Sequence, residues 1–213
     1  MSIVGSKKDN KNQRRKPRQA RSQAKFEAIL QVAPRILVEH GYQKTTTELI
    51  ALEADVSIGT LYEYFADKDD VFAVYLQRQT RAIVSAVSEQ VSNNLDATSR
   101  SMLETLINMG VDFVFQYQAT FSAIIREIPS LWEIEVIQKL EARVIELATL
   151  FYRSRIENRA DEGITVAVML TNIVVGFYLR LVLLGSQGMS AAVIKQELML
   201  VVRGYLRERS AVG

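Results

Sequence analysis

From Ser22 onward the apolar residues of this chain return every three or four positions, and little interrupts them. Phe26, Ile29, Leu30, Ala33 and Leu37 trace one face of a helix, and further stripes follow to the C-terminus. Only 3 Pro and 10 Gly stand among 213 residues rich in Leu, Ala, Val, Glu and Arg. That usage predicts an all-α protein, and the length holds one large or two small domains with a real core.

The punctuation between residues 41 and 65 is the most informative. Gly41 ends the first helix as a glycine past the last periodic residue does; Pro34, inside that helix, removes a backbone bond and predicts a bend, with no role assigned. Thr45 and Glu48 have the spacing of a capping box ahead of a short helix around Leu49, Ile50 and Ala54. Asp55 allows a tight turn, because Asp tolerates left-handed backbone. Ser57 then caps the next helix, with Val56 and Leu61 as its hydrophobic staple. Two short helices joined by three residues make a helix-turn-helix.

Leu61 and Phe65, four apart, point this second helix into a core. Ile58, Gly59, Thr60, Tyr62 and Tyr64 are left on its other faces. Gly59 costs about 1 kcal/mol relative to Ala inside a helix, a cost that fits a backbone another surface approaches closely. Free N–H groups and the dipole at that end favour phosphate. Thr60 can hydrogen-bond a base edge or offer thymine a methyl, and tyrosine hydroxyls can reach phosphate oxygens. By spacing alone the two tyrosines fit equally well as half-buried packing residues.

Charge is divided unevenly. Residues 1–21 carry Lys7, Lys8, Lys11, Arg14, Arg15, Lys16, Arg18 and Arg21 against Asp9, a net +7, so the remainder carries −5. A disordered basic arm on an acidic body points to a polyanion, nucleic acid or anionic lipid; a solvated tail is the alternative. The chain has no Cys and one His, His40, which argues against disulfides, thiolate chemistry and multi-histidine metal sites. Without a glycine-rich phosphate loop or a metal-ligand cluster, an enzyme is not expected. Residues 1–21 lack the apolar region of a signal peptide, and a reducing, cytoplasmic setting is expected.

Gly41-Tyr42, Thr45-Thr46, Ile50-Ala51, Val56-Ser57, Gly59-Thr60-Leu61-Tyr62, Tyr64-Phe65 and Lys68 together resemble the DNA-binding segment of tetracycline-repressor (TetR) family regulators. The resemblance runs from Ile29 to Val74 and departs at Asp55, where the family usually has glycine. It implies a homodimeric, ligand-responsive repressor on a pseudo-palindromic operator, released by a small-molecule effector and needing no cofactor. It implies base contacts from Ile58, Gly59 and Thr60, and phosphate contacts from Thr46, Thr47, Tyr62, Tyr64 and Lys68. Ser57, Arg18 and Arg21 complete the expected DNA-binding set. Segment 45–68 is itself acidic, so the attraction falls to the arm and Glu63 reads as a selective group.

The expected organisation is a basic arm over 1–21, a helix-turn-helix domain over 22–67, and a helical ligand-binding and dimerisation domain over 68–213. Helices are expected at 68–93, 98–117, 119–127, 130–158, 161–185 and 190–208, giving nine in all. Aromatics gather mid-chain, and Met109, Phe113, Tyr117, Phe121, Arg126, Trp132 and Phe177 are the candidate effector pocket; such a stripe also fits a plain core. Segment 164–185 is apolar all round and long enough to span a membrane. A membrane-surface protein using that helix and the arm is therefore the alternative function. Asn172 and Arg180 oppose insertion, and burial in a subunit interface explains the same composition. The resemblance implies that the last two helices form it, with Asn172, Val175, Leu179, Val193, Leu198 and Val202 as candidates.

Overall fold

The computed structural model describes residues 20–93, 99–131, 142, 145–146 and 160–212. Its helices are α1 (Ala20–His40), α2 (Thr47–Glu53), α3 (Ile58–Tyr64), α4 (Lys68–Asn93), α5 (Ser99–Glu127), α6 (Ala160–Leu184) and α7 (Ala191–Val212), with a 3-10 turn at Pro129–Leu131. No strand occurs among the described residues. The all-α expectation holds, but the count of nine does not: seven α-helices are bounded among the described residues. The segments expected at 98–117 and 119–127 are one 29-residue helix, because Gln118, Ala119 and Thr120 include no Gly or Pro to stop it. Most of the helix expected at 130–158 lies outside the described residues, as do Trp132, Arg18 and residues 1–19 of the arm. Arg21 belongs to α1, not to the arm.

The chain divides into two units after Tyr75, inside α4 rather than ahead of it. In the first unit α1, α2 and α3 pack on one another. Ile29, Ala33, Ile36, Leu37, Ile50, Leu61 and Phe65 are all buried there; apart from Ala33, each contributes roughly 1.5–3 kcal/mol. The Phe26 ring stacks on Phe65 at 5.2 Å and meets Tyr64 edge-on at 5.7 Å. Pro34 sits among the buried residues of α1, which continues through it.

Gly41 adopts φ 75° and returns its N–H to the Leu37 carbonyl, ending α1. The cap of α2 is Thr46, one residue beyond the expected Thr45: Thr46 accepts from the Leu49 N–H at 3.1 Å. Thr45 is buried and donates its hydroxyl to the Gly41 carbonyl at 2.8 Å, so it has no oxygen placed for α2. At the other end of α2, Asp55 takes φ 52°, and the N–H groups of Asp55 and Val56 return to the Leu52 and Ala51 carbonyls. That double closure is a Schellman motif.

In the second unit α5 packs against both α6 and α7. Val91 of α4, Val111 of α5, Ala167 and Leu181 of α6, and Ile194 and Val202 of α7 share one buried cluster. Tyr178 of α6 lies directly on Gly110 of α5, where an added Cβ would collide with its ring. The Tyr178 hydroxyl donates to the Ile107 carbonyl at 3.2 Å. The four last carbonyls of α6 all find donors: Leu181 from the Gly185 N–H, Val182 from Gln118, Leu183 from Arg126 and Leu184 from Gln187. Residues 164–184 are long and apolar enough to cross a membrane by composition. Val166, Ala167, Leu170 and Leu181 put part of that character into the second unit's own core.

Candidate nucleic-acid interface

α3 is short, and its orientation is fixed from both ends. Ser57, with φ −69° and ψ 148°, accepts from the Thr60 N–H at 3.1 Å, so the helix starts where the sequence places it. Leu61 and Phe65 anchor the buried face. What remains outward is Ser57, Ile58, Gly59, Tyr62 and the acidic Glu63, with Thr60 half-buried beside them. Ile58 is 38% and Tyr62 45% exposed. An added Cβ at Gly59 would have only the Ser57 Oγ within 4 Å, so glycine is not required there by the fold itself.

The phosphate candidates are less uniform. Thr46 is exposed at the start of α2. The Thr47 Oγ1 lies 3.0 Å from the Tyr62 hydroxyl and 3.3 Å from the Glu48 Oε2. The two hydroxyls share one bond, so Tyr62 points a proton outward only when Thr47 donates to it. Glu48 is held by its own backbone N–H, then by Thr46, which lower its carboxyl below the usual range. Tyr64 stands apart from the exposed set, and so does Thr47: each is 8% exposed. Tyr64 differs in its partner, for its hydroxyl sits 2.6 Å from the Ser22 Oγ, tying α1 to α3.

Lys68 opens α4 in a setting with no local sequence signal. Its ammonium donates to the Tyr42 carbonyl at 2.7 Å and lies 3.7 Å from the centre of the Tyr42 ring. The Tyr42 hydroxyl donates to Asp69 Oδ1 at 2.6 Å. Burial first, then that bond, raises the Tyr42 hydroxyl to about 12.

Residues 29–75 match the family model described as bacterial regulatory proteins, tetR family. Over that segment the chain carries a TetR-family DNA-binding domain. The HTH-type transcriptional regulator HbdR of Aromatoleum sp. (strain CIB) is 36% identical over 63 residues, 30% of this chain and 28% of that protein. A TetR-family regulator from Mesorhizobium loti MAFF303099 superposes with a TM-score of 0.71 at 19% identity, covering 89% of this chain and 98% of that one. The fatty acid degradation regulator FadR of Bacillus halodurans gives a TM-score of 0.65 at 18% identity, over 88% and 96% of the two chains. At such identities the structures share the TetR fold, and the matched family leaves no support for the membrane-surface alternative.

The candidate effector residues lie in different settings within the second unit. Phe113, Tyr117 and Phe121 form one half-buried row on α5, with centroids 4.8–6.1 Å apart; Met109 is half-buried on the same helix, and Phe177 packs at the margin of the core cluster. Arg126 donates to the Leu183 carbonyl at the end of α6. A separate cleft of about 370 Å³ lies between α5 and α7, lined by Glu104, Asn108, Lys195 and Arg203 among others.

The dimer candidates also divide. Leu198 and Val202 face the second unit's own core, because α7 carries apolar residues on two faces. Its outward face instead shows Val193, Leu200 and Val201. On α6, Asn172 is exposed and donates to the Val168 carbonyl, while Val175 and Leu179 are half-buried.

Proposed function

We propose that this TetR-family protein is a homodimeric repressor that reads a pseudo-palindromic operator and releases it on binding a small-molecule effector in the cytoplasm. The observation that carries the reading is the outward edge of α3. Ile58, Gly59 and Thr60 stand at its start beside an exposed Tyr62, while Leu61 and Phe65 hold the helix from behind. An edge with no side chain at Gly59 can lie against base edges in a major groove. Thr46, Thr47, Tyr62, Lys68 and Arg21 then serve the flanking phosphates, with Ser57 as the cap. Tyr64, bonded to Ser22, supports α3 rather than contacting DNA.

The dimer reading rests on the exposed apolar residues of the last two helices: Met169 and Leu184 on α6, Val193, Leu200 and Val201 on α7. Gly176 and Gly204 lie on these helices with open space where a Cβ would be, which lets another helix come close. The half-buried row of Phe113, Tyr117 and Phe121 supports an apolar or ring-bearing effector.

Selection of bound sequences from random duplex DNA tests the reading. A dimer should return an inverted repeat whose half-sites are centred about 34–36 Å apart, or a multiple of that distance. Recovery of single, unrepeated sites or of no consensus would refute it.

A further inference from the structure

The environment of Lys68 goes beyond a phosphate contact. A lysine at a DNA surface is ordinarily a mobile point charge on a flexible stem. Here the ammonium is gripped from two sides by one residue, the Tyr42 carbonyl at 2.7 Å and the Tyr42 ring at 3.7 Å. The grip is itself braced: the Tyr42 hydroxyl is tied to Asp69, the residue after Lys68, at 2.6 Å. Tyr42 lies in the loop after α1 and Lys68 opens α4, so two groups of one loop residue converge on the charge and a third group, on α4, braces them. Carbonyl and ring occupy two sides of an ammonium that carries three donors, leaving donor capacity for an outside acceptor. A ring also holds a cation without cancelling its charge, unlike a carboxylate.

We propose that Tyr42 is a positioning residue for DNA binding, which holds the Lys68 ammonium in place for a backbone phosphate before DNA arrives. Asp69 sets the ring through its hydrogen bond to the Tyr42 hydroxyl. The inference rests on the reading of Lys68 as a phosphate contact, and the two can fail separately.

The test is a double-mutant cycle on the duplex recovered by selection, with affinity followed from 50 to 200 mM salt. Lys68→Met should lower the slope of log affinity against log salt by about 0.9, the share of one phosphate. Tyr42→Leu should weaken binding several-fold in the wild-type background and change it little in the Lys68→Met background. Tyr42→Phe, which keeps the ring and carbonyl but frees the ring from Asp69, should give a smaller loss with the same dependence on Lys68. In the free protein, the Lys68 side-chain protons should move upfield under the ring, and Tyr42→Leu should abolish that shift. An equal loss from Tyr42→Leu with and without Lys68 would make Tyr42 a structural residue and overturn the proposal. If Lys68→Met leaves the salt slope unchanged, the phosphate contact itself is wrong and the proposal falls with it. Should Tyr42→Leu fail to fold, Tyr42→Phe and Asp69→Asn in both backgrounds decide the same question.

Discussion

Gly110→Ala isolates the packing of α5 on α6. In the middle of a helix this change ordinarily stabilises by about 1 kcal/mol. At Gly110 the new methyl would land on the Tyr178 ring. The ring cannot turn aside without giving up its bond to the Ile107 carbonyl. Overpacking costs about 1–3 kcal/mol, and a buried hydroxyl left unpaired about 1–3 kcal/mol more. Taking the middle of each range against the helix gain, the net loss should be about 3 kcal/mol. For a chain of this size that is a fall of roughly 5–10 °C in the midpoint of thermal unfolding. The decisive assay repeats the substitution in a Tyr178→Leu background, where the obstacle is gone. There Gly110→Ala should be neutral or stabilising. A loss of the same size in both backgrounds, or no loss in the wild type, would refute the reasoning.

Asp55→Gly should raise stability to urea by about 0.5–1 kcal/mol, since glycine takes φ 52° without the side-chain penalty; Asp55→Val should lower it. Leu200→Asp, on an exposed position, should leave helicity by circular dichroism intact while light scattering reports monomer. Val202→Asp buries an unpaired carboxylate in the core and should unfold the subunit. Tyr42 keeps its proton to about 12 against an ordinary 10, so its contribution to stability is complete below pH 10 and lost as pH rises through 12; urea melts of wild type and Tyr42→Phe should converge across that window. Deleting residues 2–19 should lower the salt slope of operator binding by about 3 if the arm meets three or four phosphates, with sequence preference retained; equal slopes would make it a solvated tail.

Where a feature is decided by neighbours in sequence, it is legible in the sequence. Gly41, Asp55, Ser57 and the Val56/Leu61 pair are of this kind, and with them the turn and the outward edge of α3 could be placed. Choices made by distant partners are not legible. Thr45 and Thr46 are equally good caps until the Gly41 carbonyl claims the first. Tyr62 and Tyr64 look alike by spacing, but Ser22, 42 residues away, takes the hydroxyl of one. The grip of Tyr42 on Lys68 spans 26 residues, and no local pattern announces it. In α7 the apolar positions fill two faces, so periodicity alone cannot tell Val202 in the core from Val201 outside it.

The carbonyl end of α6 has a kinetic consequence. Two of its four terminal acceptors are satisfied by residues of α5 that lie 64 and 57 positions earlier in the chain. Such bonds form only after a long loop has closed, and that closure carries its entropy cost before any contact rewards it. The last turn of α6 is therefore completed late, after α5 has docked, and its formation belongs to the downhill side of the folding barrier. Gln118→Ala and Arg126→Ala should accordingly speed unfolding while leaving the refolding rate nearly unchanged, as stopped-flow measurements on the two variants would register.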